Sequence, residues 1–351
     1  MRFRRGKGRS EGLRPMGVYI IAEVGVNHNG SVDLAKQMIR HAADAGVDAV
    51  KFQMFSTEQL VLKDAERADY QVENCSDEDA SQFDMLKKLE LSMDEMALLR
   101  DECLARGVDF LVTPFDLLSL NALEKLDVKR YKLSSGNVTD KPLIDAVAKT
   151  GKPVIMSTGM ATEDEISDAL TWLTEGGCPD VTLLHCTSNY PTAYADVNMR
   201  AMQTLKDLFK VTVGYSDHTI GTEIPCMAVS LGAQVIEKHI TLDKELPGPD
   251  HRASLEIKDL PIMVNQIRHI EQAFGSARIG ISECEKNTRD VARKSIVTTR
   301  KILSGERLDE DSLTVKRPGT GIPPKYLSEV IGRTVKEELE ADALLSWEDL
   351  A

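Results

Sequence analysis

No Cys-x-x-Cys pair occurs in this chain. Its six cysteines, Cys75, Cys103, Cys178, Cys186, Cys226 and Cys284, are scattered, several of them in apolar surroundings. Such spacing excludes paired-cysteine metal and redox motifs and reads as the reduced thiols of a cytoplasmic protein. No run approaches the ~18 apolar residues of a membrane span. A cationic excess is missing too: 43 Lys and Arg stand against 56 Asp and Glu, a formal net charge of −13. That balance excludes a nucleic-acid partner, which needs a basic face. It leaves room for an anionic small molecule, because a few lysines focused in a cleft outweigh the global field. Neither a GxSxG elbow nor a P-loop is found, so acyl hydrolysis and nucleotide-driven phosphoryl transfer both drop out.

The first fourteen residues carry Arg2, Arg4, Arg5, Lys7, Arg9 and Arg14 with no apolar stretch behind them. They do not form a secretory signal, and residues 1–17 are expected to be a disordered basic leader, with Met16 the natural start. From there to residue 275 two kinds of segment alternate eight times. Short, nearly continuous apolar runs occupy 19–27, 49–55, 109–115, 130–135, 153–159, 181–187, 211–218 and 234–241. Continuous runs of this kind suit strands buried on both faces. Amphipathic stretches lie between them, with Leu34, Met38, Ile39 and Ala42 at helical spacing. Ser92 with Glu95 and Thr162 with Glu165 fit capping boxes, and Gly46, Gly107 and Gly232 stand where helices end. Eight βα units predict a parallel barrel with helices outside, with a doubly wound open sheet as the alternative. The acidic loop 56–91 is long for its place and reads either as a rim to the site or as a solvated insertion. Residues 276–290 form a polar linker, and 291–351 a small β-rich module punctuated by Gly and Pro.

Barrel chemistry sits at the C-terminal ends of strands. Those ends carry Glu23, Asn27, His28, Lys51, Gln53, Thr113, Lys132, Ser134, Ser135, Ser157, Thr158, His185, Thr187, Ser188, Tyr190, Ser216, Asp217, His218, Glu237, Lys238 and His239. Lysines with hydroxyls from several strands suit a phosphate pocket. His218 and His239, with carboxylates near, suit a divalent metal with open positions. A Schiff-base lysine (Lys51, Lys132 or Lys238) remains an alternative.

IAEVGVNHNG, VKFQ, LVTPFD, YKLSSG, VIMSTGM, LLHCTSNYP, GYSDHT, EKHITLDKELPGPDH and VKRPGTG together resemble the sialic acid synthase (NeuB) family, from about residue 17 to the end. The resemblance implies a (β/α)8 TIM barrel over 18–275 and a C-terminal antifreeze-like (SAF) domain, swapped across a homodimer. It implies condensation of phosphoenolpyruvate with an N-acetyl-hexosamine aldehyde and water. N-acetylmannosamine would give N-acetylneuraminate. The alternative acceptor, 2,4-diacetamido-2,4,6-trideoxymannose, would give N,N'-diacetyllegionaminate, and GPDHRASLE points to these two rather than to pseudaminate. By the same resemblance His218 and His239 hold Mn2+ or Mg2+, and Glu23 is the catalytic carboxylate. Lys51, Thr113, Lys132, Ser135, Ser157, Ser188 and Ser216 surround phosphoenolpyruvate. Gln53, Asn137, Tyr190, Asp250 and Arg317 touch the sugar, Arg317 from the partner subunit. Asn137 and Ser188 depart from residues found in many members, which bears on the sugar. A binding protein with a decayed barrel is the non-enzymatic alternative, and intact Glu23, His218 and His239 speak against it.

Overall fold

A computed structural model describes residues 17–74 and 81–351, so nearly all of the expected leader lies outside the described residues. The chain divides into two compact units, the first ending at Gly275 and the second running from Ser276 to Ala351.

The first unit is built on eight strands: β1 (Tyr19–Gly25), β2 (Ala49–Met54), β3 (Asp109–Pro114), β4 (Tyr131–Leu133), β5 (Val154–Ser157), β6 (Val181–Cys186), β7 (Thr212–Asp217) and β8 (Val235–Thr241). Neighbours in space run β3-β2-β1-β8-β7-β6-β5-β4, all parallel, with a two-residue β9 (Leu255–Glu256) added to β8. The pairing of β1 with β8 is what curls the sheet into a barrel rather than an open, doubly wound layer. β3 and β4 are the free ends of the hydrogen-bonded path and lie against each other across a seam. β4 has only three residues, all of them paired with β5. Both expected capping boxes form, and Gly46 and Gly107 close their helices in the left-handed conformation. Among the described residues, no helix is long and apolar enough to cross a membrane.

Strand alternation sets the inside of the barrel. Tyr19, Ile21, Ala49, Leu111, Ile155, Leu184 and Val235 pack together as an apolar plug. Two residues further along several of the same strands the inward side chains turn polar: Glu23 after Ile21, Lys51 after Ala49, Thr113 after Leu111, Ser157 after Ile155 and Glu237 after Val235. The intervening residues, such as Ile20, Ala22, Val50, Met156 and Ile236, face the helices in a separate large core. Each strand therefore supplies a dry floor and, one pleat higher, a functional layer. Gly214 fits this scheme because a Cβ there would meet the Val235 carbonyl at 2.3 Å, so only glycine lets β7 approach β8.

The second unit pairs β10 (Ser295–Thr298) with β11 (Leu313–Lys316) in antiparallel register and completes itself with isolated bridges. Its own core contains Ile296, Ile302, Leu308, Leu313, Ile322, Val330, Val335, Leu345 and Leu350. The stretch read as linker is exposed throughout and carries the start of a short helix, Lys286–Ala292.

Candidate active site

A cavity of about 590 Å3 opens above the apolar plug, lined by side chains from the ends of the barrel strands. Its floor is a network of buried charges. Lys51 Nζ lies 2.8 Å from Glu23 Oε1 and 3.7 Å from Glu237 Oε2. Lys132 Nζ lies 3.7 Å from Glu237 Oε1, and it donates to Ser157 Oγ at 2.6 Å and to the Leu133 carbonyl at 2.9 Å. The Ser216 hydroxyl donates to Glu237 Oε1 at 2.9 Å, and Gln53 Nε2 to Glu23 Oε1 at 3.0 Å. Lys51 also reaches Thr113 Oγ1 at 3.4 Å, which puts Thr113 beneath the floor, off the cavity surface.

Burial lowers Lys132 and opposes its charge, with Glu237 pulling the other way. Burial also works against ionisation of Glu237, but Lys132, Lys51 and the Ser216 hydroxyl outweigh it and hold the carboxyl below its usual range. Glu23 is pushed up, first by burial and then by Glu237, against the pull of Lys51.

One wall is aromatic. The Tyr190 ring packs on His218 at 4.0 Å and meets His239 edge-on at 5.7 Å; Tyr70 packs on Tyr190 at 5.0 Å. The imidazoles of His218 and His239 are 5.4 Å apart between centroids. His218 Nδ1 sits 2.7 Å from the Thr187 carbonyl and 3.8 Å from Cys186 Sγ. Burial, then His218 and the nearby lysines, hold His239 well below the usual imidazole range, so it is neutral, the form a metal ligand requires. His239 Nδ1 is buried without a hydrogen-bond partner, 3.9 Å from Asp250 Oδ2, and Glu23 Oε2 is likewise unpartnered. These unpartnered buried atoms, with Glu237 Oε2 a third in the same cavity, are groups a divalent cation would satisfy. Among the described residues no three His, Cys, Asp or Glu side chains gather at ligating distance.

Of the residues singled out in the sequence, Glu23, Lys51, Gln53, Lys132, Ser135, Ser157, Ser188, Tyr190, Ser216, His218, His239 and Asp250 line this one cavity. Ser135 and Ser188 converge over Gly159, where a Cβ would meet their hydroxyls at 2.8 and 2.4 Å. Asn137 does not line it: its Oδ1 accepts from the Ser134 amide at 2.9 Å and the Ser134 hydroxyl at 2.8 Å. Arg317 is an exposed residue of the second unit. Lys238, one pleat position away, points out of the barrel into a buried ion pair with Asp217 at 2.5 Å, which removes it as a Schiff-base candidate. Glu237 stood among the strand-end residues without a role; its register two residues before His239 is the signal that it faces inward. Loop 56–91 forms a rim, since its short helices Asp69–Asn74 and Gln82–Lys87 bring Tyr70, Gln71, Gln82, Met85 and Leu86 to the cavity. These residues carry no motif and were not legible in advance.

A family model described as the NeuB family matches residues 38–278, and one described as the SAF domain matches 293–351. The chain is a member of the NeuB family. This NeuB protein is 43% identical over 347 residues to the N,N'-diacetyllegionaminic acid synthase of Legionella pneumophila, with 97% of each chain covered. It is 44% identical over 331 residues to the synthase of the same name from Campylobacter jejuni, covering 93% of this chain and 98% of that one. The crystal structure of N-acetylneuraminic acid (sialic acid) synthetase from Leptospira borgpetersenii superposes with a TM-score of 0.68 at 35% identity, covering 78% of this chain and 90% of that one. The expected architecture, a TIM barrel followed by an SAF domain, is borne out. So is the expected class: this NeuB member is an enzyme, a phosphoenolpyruvate-dependent transferase that forms a carbon–carbon bond.

Proposed function

We propose that the enzyme condenses phosphoenolpyruvate with 2,4-diacetamido-2,4,6-trideoxymannose and water, giving N,N'-diacetyllegionaminate and phosphate. One observation carries the reaction: two buried lysines and a half-unpartnered carboxylate share one cavity with two imidazoles. The choice of sugar rests on the two legionaminic acid synthases, closer in sequence than the sialic acid synthetase. N-acetylmannosamine, the acceptor first implied by the motifs, becomes the second reading.

In this reading Lys51 and Lys132 hold the anionic groups of phosphoenolpyruvate, with the hydroxyls of Ser135, Ser157, Ser188 and Ser216 as neutral donors and Thr113 steadying Lys51 from below. His218 and His239 would hold a divalent ion, manganese or magnesium, which when bound supplies Lewis-acid polarisation of the aldehyde oxygen. C3 of the enol bonds to the aldehyde carbon, water adds its oxygen at C2, and the C2–O bond to phosphate breaks. Glu23 is the base for that water. Lys51 and Gln53 fix its Oε1 and leave Oε2 for the incoming proton, and the raised carboxyl is a stronger base than an exposed glutamate. Gln53, Asp250 and Tyr190 face the sugar, and Asn137 acts on it indirectly by fixing the Ser134 turn. The reading includes a domain-swapped homodimer working in the cytoplasm, with Arg317 of a second copy completing the sugar site.

The test is phosphate release with each sugar in the presence of manganese, with product masses measured. Turnover of the diacetamido sugar at a kcat/KM above that of N-acetylmannosamine is expected; the reverse order overturns the assignment.

A further inference from the structure

The cavity lining is not polar throughout. Val26, Met85, Leu86 and Phe115 give the cavity an apolar wall. It belongs to a small core of its own, in which Val26, Phe55, Met85 and Leu89 are buried and Leu60, Leu86 and Phe115 pack against them. The Phe55 and Phe115 rings meet edge to face at 6.4 Å. Met85 and Leu86 come from helix Gln82–Lys87, and that helix is fastened at both ends. At its start the Asp84 amide donates to Ser81 Oγ at 3.2 Å and the Gln82 amide to the Ala65 carbonyl at 2.9 Å. At its end Lys87 bridges Glu58 and Glu90 at 2.9 and 3.1 Å, and Glu90 accepts from the Thr57 hydroxyl at 2.8 Å. The wall is therefore preformed in the ligand-free fold.

A polyol has no use for such a surface, since a hydroxyl pressed against it loses its water without gaining a partner. A methyl group gains there. We infer that this wall is the specificity element of the enzyme: it receives the methyl groups at the far end of the acceptor sugar, the C6 methyl foremost, and selects a 6-deoxy acceptor over one with a C6 hydroxyl. This rests on the function proposed above and deepens it by naming which residues choose the sugar. Discrimination by one methyl or hydroxyl in an apolar pocket is worth roughly 10–100-fold in kcat/KM.

The experiment compares N-acetylmannosamine, its 6-deoxy analogue and the 2,4-diacetamido-2,4,6-trideoxy sugar, using the full-length wild type and Met85→Gln, with KM for phosphoenolpyruvate measured alongside. The wild type is expected to favour the 6-deoxy analogue over N-acetylmannosamine by about tenfold or more, and Met85→Gln to erase most of that preference with KM for phosphoenolpyruvate held within about twofold. Equal use of the two analogues by the wild type overturns the inference, even where the variant does not fold. A Met85→Gln enzyme that keeps the wild-type ratio also overturns it. A C6 preference without turnover of the diacetamido sugar leaves the wall standing and removes the legionaminate assignment, and turnover of none of the three removes both.

Discussion

At Glu23 the two carboxylate oxygens have different fates: Oε1 is tied to Lys51 and Gln53, while Oε2 is buried and unpartnered. Glu23→Gln preserves the shape and removes the proposed base. It should cut kcat by about 10²–10⁴-fold with little change in KM for phosphoenolpyruvate; a raised KM with kcat unchanged would make Glu23 a binding group instead. Lys132→Met should act the other way, raising KM for phosphoenolpyruvate by roughly 100-fold through the loss of a charge-assisted contact. A third prediction concerns pH. Burial pushes His28 and His251 down to about 4 from an ordinary value of 6.5. Both are neutral in the fold, and protonation favours the unfolded chain. Their contribution is complete above pH 6.5 and is lost as pH falls through 6.5 towards 4, up to about 3 kcal/mol each. The urea midpoint should therefore drop across that window. His28→Asn, which keeps an acceptor for the Gly30 amide, should flatten the slope, and an unchanged slope would refute it.

Among the elements, the strands and capped helices were readable because the physics that makes them is local. A run buried on both faces is apolar without a break, and a capping box is four residues of side-chain chemistry. What lay beyond the sequence was facing and partnership. Lys51 and Lys238 both sit near strand ends, yet one faces the cavity and the other an ion pair with Asp217, a difference set by the pleat. Asn137 looked like a sugar contact by motif, and in the fold its acceptor is taken up by Ser134. Tyr70 and Met85 reach the cavity only because the rim folds back over the barrel. Asp116 helps anchor that rim to the scaffold: it accepts from the Ser56 amide, the Ser119 amide and the Ser119 hydroxyl, each at 2.8 Å. Asp116→Ala should cost about 2 kcal/mol, more than an ordinary cap, and should speed amide exchange at Ser56. Stability loss without faster exchange there would confine its role to the helix.

For the whole molecule, a chain of formal net charge −13 places two lysines, Lys51 and Lys132, in a cavity they share with Glu23, Glu237 and Asp250. The proposed exchange of SAF domains is testable without a structure of the complex. Chains carrying Glu23→Gln and chains carrying Arg317→Ala should each be inactive or impaired. Co-expressed in equal amounts, they should recover about a quarter of wild-type activity, because half the dimers are mixed and each mixed dimer holds one intact site. Activity no greater than the sum of the separate variants would place Arg317 outside a shared site.

The alternation along β7 and β8 has a consequence for how this enzyme can change over generations. Ser216 and Asp217, and then Glu237, Lys238 and His239, hand consecutive residues to opposite faces of the barrel, a wet chemical face and a dry electrostatic one. A single inserted or deleted codon there would exchange the two faces at once, sending Lys238 into the cavity and stranding Glu237 and His239 among the helices. Function and folding would fail in the same step, so lineages can drift through these strands by substitution but not by a change of length.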